Sequence, residues 1–322
     1  MLGDGDIITL GAGAYRLAAP LAASAYGVVW QARSPAGSAV ALKLVNQEQM
    51  ARADPALQAR WSGSAQTEID FLRGLSPWDE RHIVRLLDSG LHDGLPVMAL
   101  ELMGPDLARD ASAAGGLARI LDWVGQINQA LATVHRYGWL YLDLKPANVL
   151  LGHAGRNVKL ADFGTSRLRA ALAARTYCGT ASWQAPEQFF PTARNTWETD
   201  TRTDYFALGA MFYYLVTAGR QLRFCSSCGE AWRAHLAAAP ARLLAQHGGR
   251  VPVTLHEEEA QLFAQRIGSP AAQPALALLR ALLAATPHAR PRHAIDISRM
   301  IDAIRAATEL GAPAHDWQRS AA

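Results

Sequence analysis

The sequence predicts an α+β protein in which a small, sheet-rich N-terminal lobe precedes a larger, helical C-terminal lobe. Before Gly104, short runs of β-branched residues are separated by turn signals, which is typical of antiparallel strands. After Gly104, apolar residues recur at helical spacing. We expect an N-terminal extension over residues 1–14, the small lobe over 15–103, the large lobe over 104–309 and a loose tail over 310–322.

The small lobe is predicted to contain two hairpins and one helix. "YGVVWQAR" and "SAVALKLV" are joined by "SPAGS", and "IVRLLDSGL" and "PVMALELM" are joined by "HDGL". Both connections are turn signals between strand-like runs. Between the hairpins, residues 55–75 place Ile69, Leu72 and Leu75 at helical spacing. The first strand is expected to start at Tyr15.

The large lobe is predicted to be mainly helical. "LARILDWVGQINQALATVHRYG" has apolar residues at intervals of three and four, and its helix is expected to end at Gly138. Further helices are expected over residues 205–217, 275–285 and 294–308. The most apolar stretch, "YFALGAMFYYLV", has twelve residues and is too short to cross a bilayer.

The composition narrows the class of protein. Half of the 322 residues are hydrophobic and 18% are charged, which argues against a disordered chain. A net charge of +3 is too small to indicate a nucleic-acid-binding surface. The three cysteines provide no disulfide framework, and the first residues lack the basic and apolar regions of a secretory signal. We therefore expect a cytoplasmic protein without a nucleic-acid or membrane partner.

Five short motifs follow one another along the chain. "VALK" ends at Lys43, "YLDLKPANVLL" starts at Tyr141, and "VKLADFGTS", "GTASWQAPE" and "RTDYFALGA" follow in that order. The series resembles the eukaryotic-type protein kinase family, and Ser/Thr kinases in particular, from about Tyr15 to Thr308. The resemblance implies a bilobal protein-kinase-like fold that uses ATP and Mg²⁺ to transfer a phosphoryl group to Ser/Thr hydroxyls of protein substrates.

The resemblance also implies a role for each polar residue of these motifs. Asp143 matches the base that accepts the proton of the attacking hydroxyl, and Lys145 matches the lysine that steadies the γ-phosphate. Asn148 and Asp162 match the magnesium ligands, whose oxygen atoms suit that hard cation. Lys43 matches the lysine that holds the α- and β-phosphates. Phosphoryl transfer requires mainly positioning and charge neutralisation, and residues of these types supply both.

Lys43 needs a carboxylate partner from the helix that follows its strand. The candidates are Glu48, Glu68 and Asp70. Glu48 is five residues from Lys43, which is too close for a separate helix to bring it back. In "EIDFLRGL", Glu68 is free to face the cleft while the leucines face another side. We therefore expect the partner to be Glu68.

Residues of the small lobe match the nucleotide site of the family. Leu100 matches the gatekeeper, and the backbone from Glu101 to Met103 matches the hinge that meets the adenine edge. Ala41 and Val29 match the residues that sandwich the adenine ring. The full set of expected nucleotide-binding residues, with the phosphate loop included, is Ala22, Ser24, Gly27, Val29, Ala41, Lys43, Leu100, Glu101, Met103 and Asp162.

Two stretches compete for the role of the phosphate loop. "GAGAYR" resembles the start of a glycine-rich loop, but Gly11 lies 32 residues before Lys43. A strand, a turn and half of another strand need roughly twenty residues, so the loop is expected at "AASAYGVV", Ala22 to Val29. Only Gly27 in that stretch takes unusual dihedral angles freely. We expect ATP binding to be retained but weakened, and "GAGAYR" to be a turn before the first strand.

Three further matches favour a protein kinase over a small-molecule phosphotransferase, which usually lacks the "APE" segment. Thr180 and Glu187 lie in "GTASWQAPE", and the family pairs this glutamate with an arginine near the C-terminus. Arg290 fits that arginine. Asp204 resembles the buried aspartate that braces the catalytic loop.

The stretch "FCSSCG" raises the question of zinc. Cys225 and Cys228 supply half of a site, which His235 or His247 would have to complete at an unfamiliar spacing. We favour two free thiols in a loop of the large lobe, and a zinc site is the alternative.

Two interpretations of function stay open, an active Ser/Thr kinase and a pseudokinase that acts as a binding scaffold. A scaffold is indicated by the glycine-poor phosphate loop and by Tyr141 and Leu142, which replace the usual His-Arg before Asp143. Tyr141 is expected to pack beneath Phe163 and to need a partner for its hydroxyl. An enzyme is favoured by the presence of Lys43, Glu68, Asp143, Asn148 and Asp162.

Activity is expected not to depend on phosphorylation of the activation loop. The arginine before the catalytic aspartate normally binds a phosphate on that loop, and Leu142 cannot do so. Alanine or phenylalanine at Ser166, Thr176 and Tyr177 should therefore leave transfer from labelled ATP intact. Loss of transfer in such variants, with recovery by a phosphomimetic residue, would contradict this expectation.

Overall fold

The computed structural model describes residues 2–24, 27–52, 55–109, 115–152, 155–170 and 177–310. The chain forms two compact units, the first made of residues 1–110 and 129–179 and the second of residues 111–128 and 180–322. The α+β class is as predicted, since an antiparallel sheet fills the N-terminal part and helices dominate the C-terminal part.

The first unit is built on a six-stranded antiparallel sheet. Its strands are β1 (Ile7–Leu10), β2 (Gly13–Ala23), β3 (Gly27–Arg33), β4 (Ala39–Val45), β5 (Leu86–His92) and β6 (Leu95–Glu101). They lie in the order β1-β2-β3-β4-β6-β5. Both predicted hairpins, β3–β4 and β5–β6, are present. The second hairpin turns at Asp93 and Gly94, which both have the positive φ that a tight two-residue turn requires.

Side-chain alternation along β4 separates the core from the opposite face of the sheet. Val40, Leu42 and Leu44 pack in a buried cluster with apolar residues of β1, β2, β3 and β6. Ala41 and Lys43 point to the other face, because successive side chains of a strand alternate. One short strand therefore contributes both to the core and to the face that carries Lys43.

The expectation that Tyr15 starts the first strand is wrong. Strand β1 precedes it and pairs with β2, which already begins at Gly13. The glycines of "GAGAYR" form the turn between these two strands, and Gly13 has a φ of 129°, which glycine adopts without strain. The stretch is a turn, as predicted, but Ile7–Leu10 belongs to the sheet.

The β1–β2 turn is tied to the far edge of the sheet by Asp88 on β5. Its Oδ2 accepts the Ala12 N–H at 2.8 Å and the Tyr15 hydroxyl at 3.0 Å, and its Oδ1 accepts the Ser89 N–H. Burial and the Asp88 carboxylate raise the pKa of Tyr15 to about 12, so the phenol stays a donor at neutral pH. The first strand is thereby fixed to the strand at the opposite end of the sheet order.

Two helices lie between β4 and β5. They are α1 (Gln47–Ala51) and α2 (Pro55–Arg73), and α2 is the helix that the sequence predicts over residues 55–75. Ile69, Phe71 and Leu72 of α2 are buried, and the helix contacts β4, β5 and β6. This packing fixes the rotation of α2 about its axis relative to the sheet.

Two small antiparallel ladders flank the loops of the first unit that carry the sequence motifs. After α3 (Leu117–Arg136) come β7 (Trp139–Leu140), β8 (Val149–Leu151), β9 (Val158–Leu160) and β10 (Arg167–Leu168). β7 pairs with β10, and β8 pairs with β9. Since residues 141–148 connect β7 to β8 and residues 161–166 connect β9 to β10, these ladders hold the two loops together at both ends.

The second unit is helical. It contains α3 up to residue 128, together with α4 (Pro186–Phe189), α5 (Thr201–Val216), α6 (Arg223–His235), α7 (Ala239–Gln246), α8 (Glu257–Ile267), α9 (Ala272–Leu282) and α10 (Ala294–Leu310). Helices α5, α9 and α10 correspond to the three that the sequence predicts in this region. Within the described ranges, no helix combines the length and the apolar character that a membrane span requires.

Loss of the Asp88 charge should destabilise the fold, because two donors that bridge the sheet would lose their ionised acceptor. Asp88→Asn is expected to lower the free energy of unfolding by about 1–3 kcal/mol. Asp93→Asn is the matched control, since Asp93 is exposed on the next turn and its change should stay within about 0.5 kcal/mol. Urea unfolding measures the free energy of unfolding of both variants. An equal effect of the two substitutions would show that Asp88 does not clamp the sheet.

Candidate active site

Lys43 lies between two carboxylates that come from different elements of the first unit. Its Nζ is 2.6 Å from Glu68 Oε2 on α2 and 2.8 Å from Asp162 Oδ1 in the loop after β9. Glu68 is buried, whereas the side chain of Asp162 is 48% exposed. Of the candidate partners for Lys43, the structure selects Glu68, as predicted. Glu48 lies in α1, and Asp70 is exposed and accepts a hydrogen bond from Gln66.

The charges of this group depend on one another. Burial lowers the pKa of Lys43, but the carboxylates of Asp162 and Glu68 outweigh it and raise the pKa above its usual value. The Lys43 charge in turn lowers the pKa of Asp162. Burial raises the pKa of Glu68, against the attraction of Lys43. Lys43 therefore stays positive and Asp162 stays ionised at neutral pH.

The loop between β7 and β8 gathers a second polar group. Asp143 is buried, and its Oδ2 accepts hydrogen bonds from Lys145 Nζ at 2.8 Å and from Asn148 Nδ2 at 3.2 Å. Asn148 Nδ2 also donates to the Asp143 carbonyl at 2.9 Å. These contacts bring Asp143, Lys145 and Asn148 together, as the sequence predicts, and fix the orientation of the Asp143 carboxylate.

The donor set suits a divalent cation. In the described part of the first unit, the Lys43 and Asp143 groups hold three carboxylates against two ammonium groups. One carboxylate oxygen of Asp162 contacts Lys43, and the side chain remains half exposed. Asn148 adds a side-chain amide. Hard oxygen ligands of the kind that Mg²⁺ prefers are therefore present. Asp162 and Asn148 would hold such an ion.

The register of the sheet brings the predicted adenine residues to the face of Lys43. Val29 on β3 lies opposite Lys43, and it also lies opposite Ala22 on β2. Ala41 lies opposite Leu100 on β6. Directly opposed residues of antiparallel strands point to the same side, so these five side chains share one face. Met103 follows the end of β6.

The predicted phosphate loop connects β2 and β3, and Lys43 lies on the next strand. Ser24 Oγ accepts the Gly27 N–H at 3.1 Å, and the Ser24 N–H donates to the Gly27 carbonyl at 2.8 Å. Gly27 has little space for a side chain, because a Cβ there would lie 3.2 Å from the Leu44 carbonyl oxygen. Ala25 and Tyr26 lie outside the described residues.

Tyr141 fills the place that the sequence assigns to it. Its ring packs edge-on against Phe163 at 5.1 Å between centroids, and its hydroxyl donates to the Ala161 carbonyl. Burial, together with nearby carboxylates, raises the pKa of Tyr141 well above its usual value, so the hydroxyl keeps its proton. A neutral hydrogen bond and a ring contact therefore link the loop of Asp143 to the loop of Asp162.

Comparison with known protein families identifies the family to which the chain belongs. The family model described as "Protein kinase domain" matches residues 15–299. The chain belongs to the protein kinase domain family. The predictions of a eukaryotic-type Ser/Thr kinase relative and of the protein-kinase fold are confirmed by this match and by the relatives below.

Two bacterial relatives are similar to this kinase domain. Serine/threonine-protein kinase PkaA of Streptomyces coelicolor is 32% identical over 239 residues, which cover 71% of this chain and 43% of that protein. Serine/threonine-protein kinase pkn2 of Myxococcus xanthus is 26% identical over 319 residues, which cover 94% of this chain and 34% of that protein. The chain thus spans less than half the length of either relative.

A buried pair in the second unit is also present as predicted. Arg290 binds Glu187 through two parallel contacts of 2.7 and 2.9 Å, and it donates to the carbonyls of Ala284 and Arg202. Arg290 is buried at its side chain, and such bidentate, fully bonded pairs hold a fixed geometry. The "APE" segment is therefore anchored within this unit.

Leu142 replaces the phosphate-binding arginine with an apolar contact. It is 2% exposed and clusters with Leu140 and Cys178, and Arg167 donates to the Tyr177 carbonyl nearby. Its φ of 64° is unusual for a leucine and costs about 1–3 kcal/mol, which burial of the side chain offsets. Residues 177 and 178 are therefore held by one Arg167 hydrogen bond to a carbonyl and by apolar packing against Leu140 and Leu142.

The candidate phosphorylation sites differ in accessibility. Ser166 is buried and its hydroxyl donates to the Tyr141 carbonyl at 3.3 Å, so it offers no accessible acceptor in this conformation. Tyr177 is partly buried. Thr176 lies outside the described residues.

The expectation that Cys225 and Cys228 lie in a loop is wrong. Both are in α6, and both are buried free thiols. Burial raises the pKa of each thiol above its usual value, which disfavours the thiolate that zinc requires. Among the described residues, no group of three or more His, Cys, Asp or Glu side chains is placed to hold a metal ion.

Three contacts of the site were not predicted from the sequence. Lys159 Nζ lies 2.5 Å from Glu101 Oε1, which ties the predicted hinge to β9, and the Arg85 N–H donates to the same oxygen. The Ser64 hydroxyl donates to the carbonyl of Gly164, two residues after Asp162. In the sequence, only the position of Ser64 one helical turn before Glu68 indicates that it lies on the face of α2 that meets the site.

Proposed function

We propose that this kinase domain transfers the γ-phosphoryl group of ATP to Ser or Thr hydroxyls of protein substrates in a Mg²⁺-dependent reaction. The observation that carries the proposal is the position of Lys43 between Glu68 and Asp162, with Asp143, Lys145 and Asn148 in the adjacent loop. The family generally uses ATP and Mg²⁺, and both relatives are named as Ser/Thr protein kinases.

Each polar side chain of the site would have a role in this reaction that is consistent with its contacts. Lys43 is held positive and would contact the α- and β-phosphates, while Glu68 prevents it from moving away. Asp143 would accept the proton of the attacking hydroxyl, and Lys145 beside it would steady the γ-phosphate. Bound Mg²⁺, held by Asp162 and Asn148, would neutralise charge on the phosphates.

The adenine would lie on the sheet face that carries Val29, Ala41 and Leu100. The hinge backbone after β6 would supply its polar contacts, and the side chain of Glu101 is held away by Lys159. The loop from Ala22 to Gly27 would cover the phosphates with backbone N–H groups. With one glycine in this loop, we expect ATP to bind more weakly than to a loop with three.

The alternative is a pseudokinase scaffold, which the glycine-poor loop and the Tyr141-Leu142 pair favour. The intact contacts of Lys43 and Asp143 argue for the enzyme, because a scaffold has no need for a base or for a cation site. The two proposals differ in one measurable property, the transfer of phosphate to protein.

The role of Asp143 gives the sharpest test of the proposed reaction. Asp143→Asn keeps the shape of the side chain but removes the proton acceptor, so transfer from labelled ATP should fall by about 100-fold or more. The thermal shift caused by ATP and Mg²⁺ should persist, and chelation of Mg²⁺ should abolish transfer by the unaltered protein. Asp122→Asn, at an exposed carboxylate of α3, is the matched control and should retain full transfer.

Three outcomes separate the proposals. Transfer by the unaltered protein and the control, but not by Asp143→Asn, supports the enzyme. A thermal shift without transfer by the unaltered protein supports the scaffold. Neither transfer nor a thermal shift would overturn both the enzyme and the nucleotide-binding site.

A further inference from the structure

The backbone of the segment that carries Asp162 is hydrogen-bonded to a side chain of α2. Ser64 Oγ donates to the Gly164 carbonyl at 2.6 Å, a short and part-buried hydrogen bond between residues 100 positions apart. A Cβ on Gly164 would lie 2.4 Å from the Ser64 oxygen, well inside contact distance. The approach of the two segments therefore depends on glycine at 164 and on a small hydroxyl side chain at 64.

Ser64 belongs to a stripe of α2 that follows this segment. Ser64, Glu68 and Phe71 are spaced four and three residues apart, so they lie on one face of the helix. Phe71 stacks on Phe163 at 4.5 Å with the rings 24° apart, and Glu68 shares Lys43 with Asp162. Three successive turns of α2 thus reach residues 162–164 through a hydrogen bond, an ion pair and a ring stack.

The three contacts restrict the motion of this segment differently. The ion pair passes through the flexible side chain of Lys43, and the ring stack permits sliding. The Ser64 hydrogen bond grips the backbone itself, two residues from Asp162, so it restricts both the position and the rotation of the segment. Loss of this bond would leave only the Lys43 ion pair and the Phe71–Phe163 stack to hold the segment of Asp162, while α2 stays folded.

We propose that Ser64 is a positioning residue that locks residues 162–164 onto α2 and so keeps Asp162 in its cation-binding position without a phosphate on the activation loop. The proposal rests on the proposed function insofar as Asp162 serves phosphoryl transfer. Leu142 cannot bind a phosphate on the activation loop, and the Ser64 bond holds residues 162–164 through two uncharged groups.

Hydrogen–deuterium exchange tests the lock independently of activity. Ser64→Ala should speed exchange in residues 161–168 relative to the unaltered protein, because the backbone grip is lost. Ser62→Ala is the matched control, since it makes the same chemical change on the same helix about half a turn away. Equal exchange of residues 161–168 in the two variants would overturn the proposal, whether or not the protein transfers phosphate.

Kinetics should separate positioning from folding. One neutral hydrogen bond shifts an equilibrium by about 2- to 10-fold, so kcat of Ser64→Ala should fall by that factor. KM for the protein substrate should not change, and Tm should fall by no more than a few degrees, because the higher helix propensity of alanine offsets part of the lost hydrogen bond. An unchanged kcat, or a loss of kcat matched by Ser62→Ala, would overturn the proposal.

A double-mutant cycle tests the contact itself. Gly164→Ala should reduce kcat more than Ser64→Ala does, since the added methyl group collides with the Ser64 oxygen. In the Ser64→Ala background that oxygen is absent, so Gly164→Ala should cost at least about 5-fold less. Additive effects would show that the two residues do not act through this contact. Absence of transfer in all variants, the unaltered protein included, would instead reject the proposed function and leave the exchange comparison to decide on Ser64.

Discussion

The rest of the first unit is organised around one partly buried positive charge. Lys43 on β4 has two carboxylate partners, Glu68 from α2 and Asp162 from the loop after β9. The two carboxylates would repel each other at this separation without the ammonium, and the buried Glu68 in particular needs it to stay ionised. The sheet, the helix and the loop must therefore meet within hydrogen-bond distance of one atom.

Neutral contacts hold these three elements where the charges require them. Phe71 and Tyr141 pack against Phe163, the Tyr141 hydroxyl bonds Ala161, and Ser64 bonds Gly164. Each of these contacts involves the backbone or an aromatic ring, so none depends on salt or on a modification. Together with the apolar cluster at Leu142, these contacts hold the geometry of the site without a bound phosphate.

Much of this arrangement could be predicted from the sequence, because its five motifs occur in the order and at the spacing of the protein kinase family. The short separation between Lys43 and Glu48 excluded Glu48 as the partner and left Glu68 as the choice. The family resemblance assigned Ala41 and Lys43 to the nucleotide site, and strand alternation explains why they share one face. The clamp at Asp88 and the Ser64–Gly164 bond could not be predicted, since each joins a side chain to a distant backbone group that leaves no pattern. Cys225 and Cys228 misled for a related reason, because a spacing of three residues fits a loop and one face of α6 equally well.

If the site forms without phosphorylation, the phosphate-free protein is fully active, and its rate is the most direct test. The protein would be treated with a phosphatase until mass spectrometry finds no phosphate, and transfer to a protein substrate would then be followed from the first seconds. We predict that product increases linearly with time, without a lag and at the rate of the untreated protein. A lag that ends as phosphate returns to residues of the activation loop would contradict it.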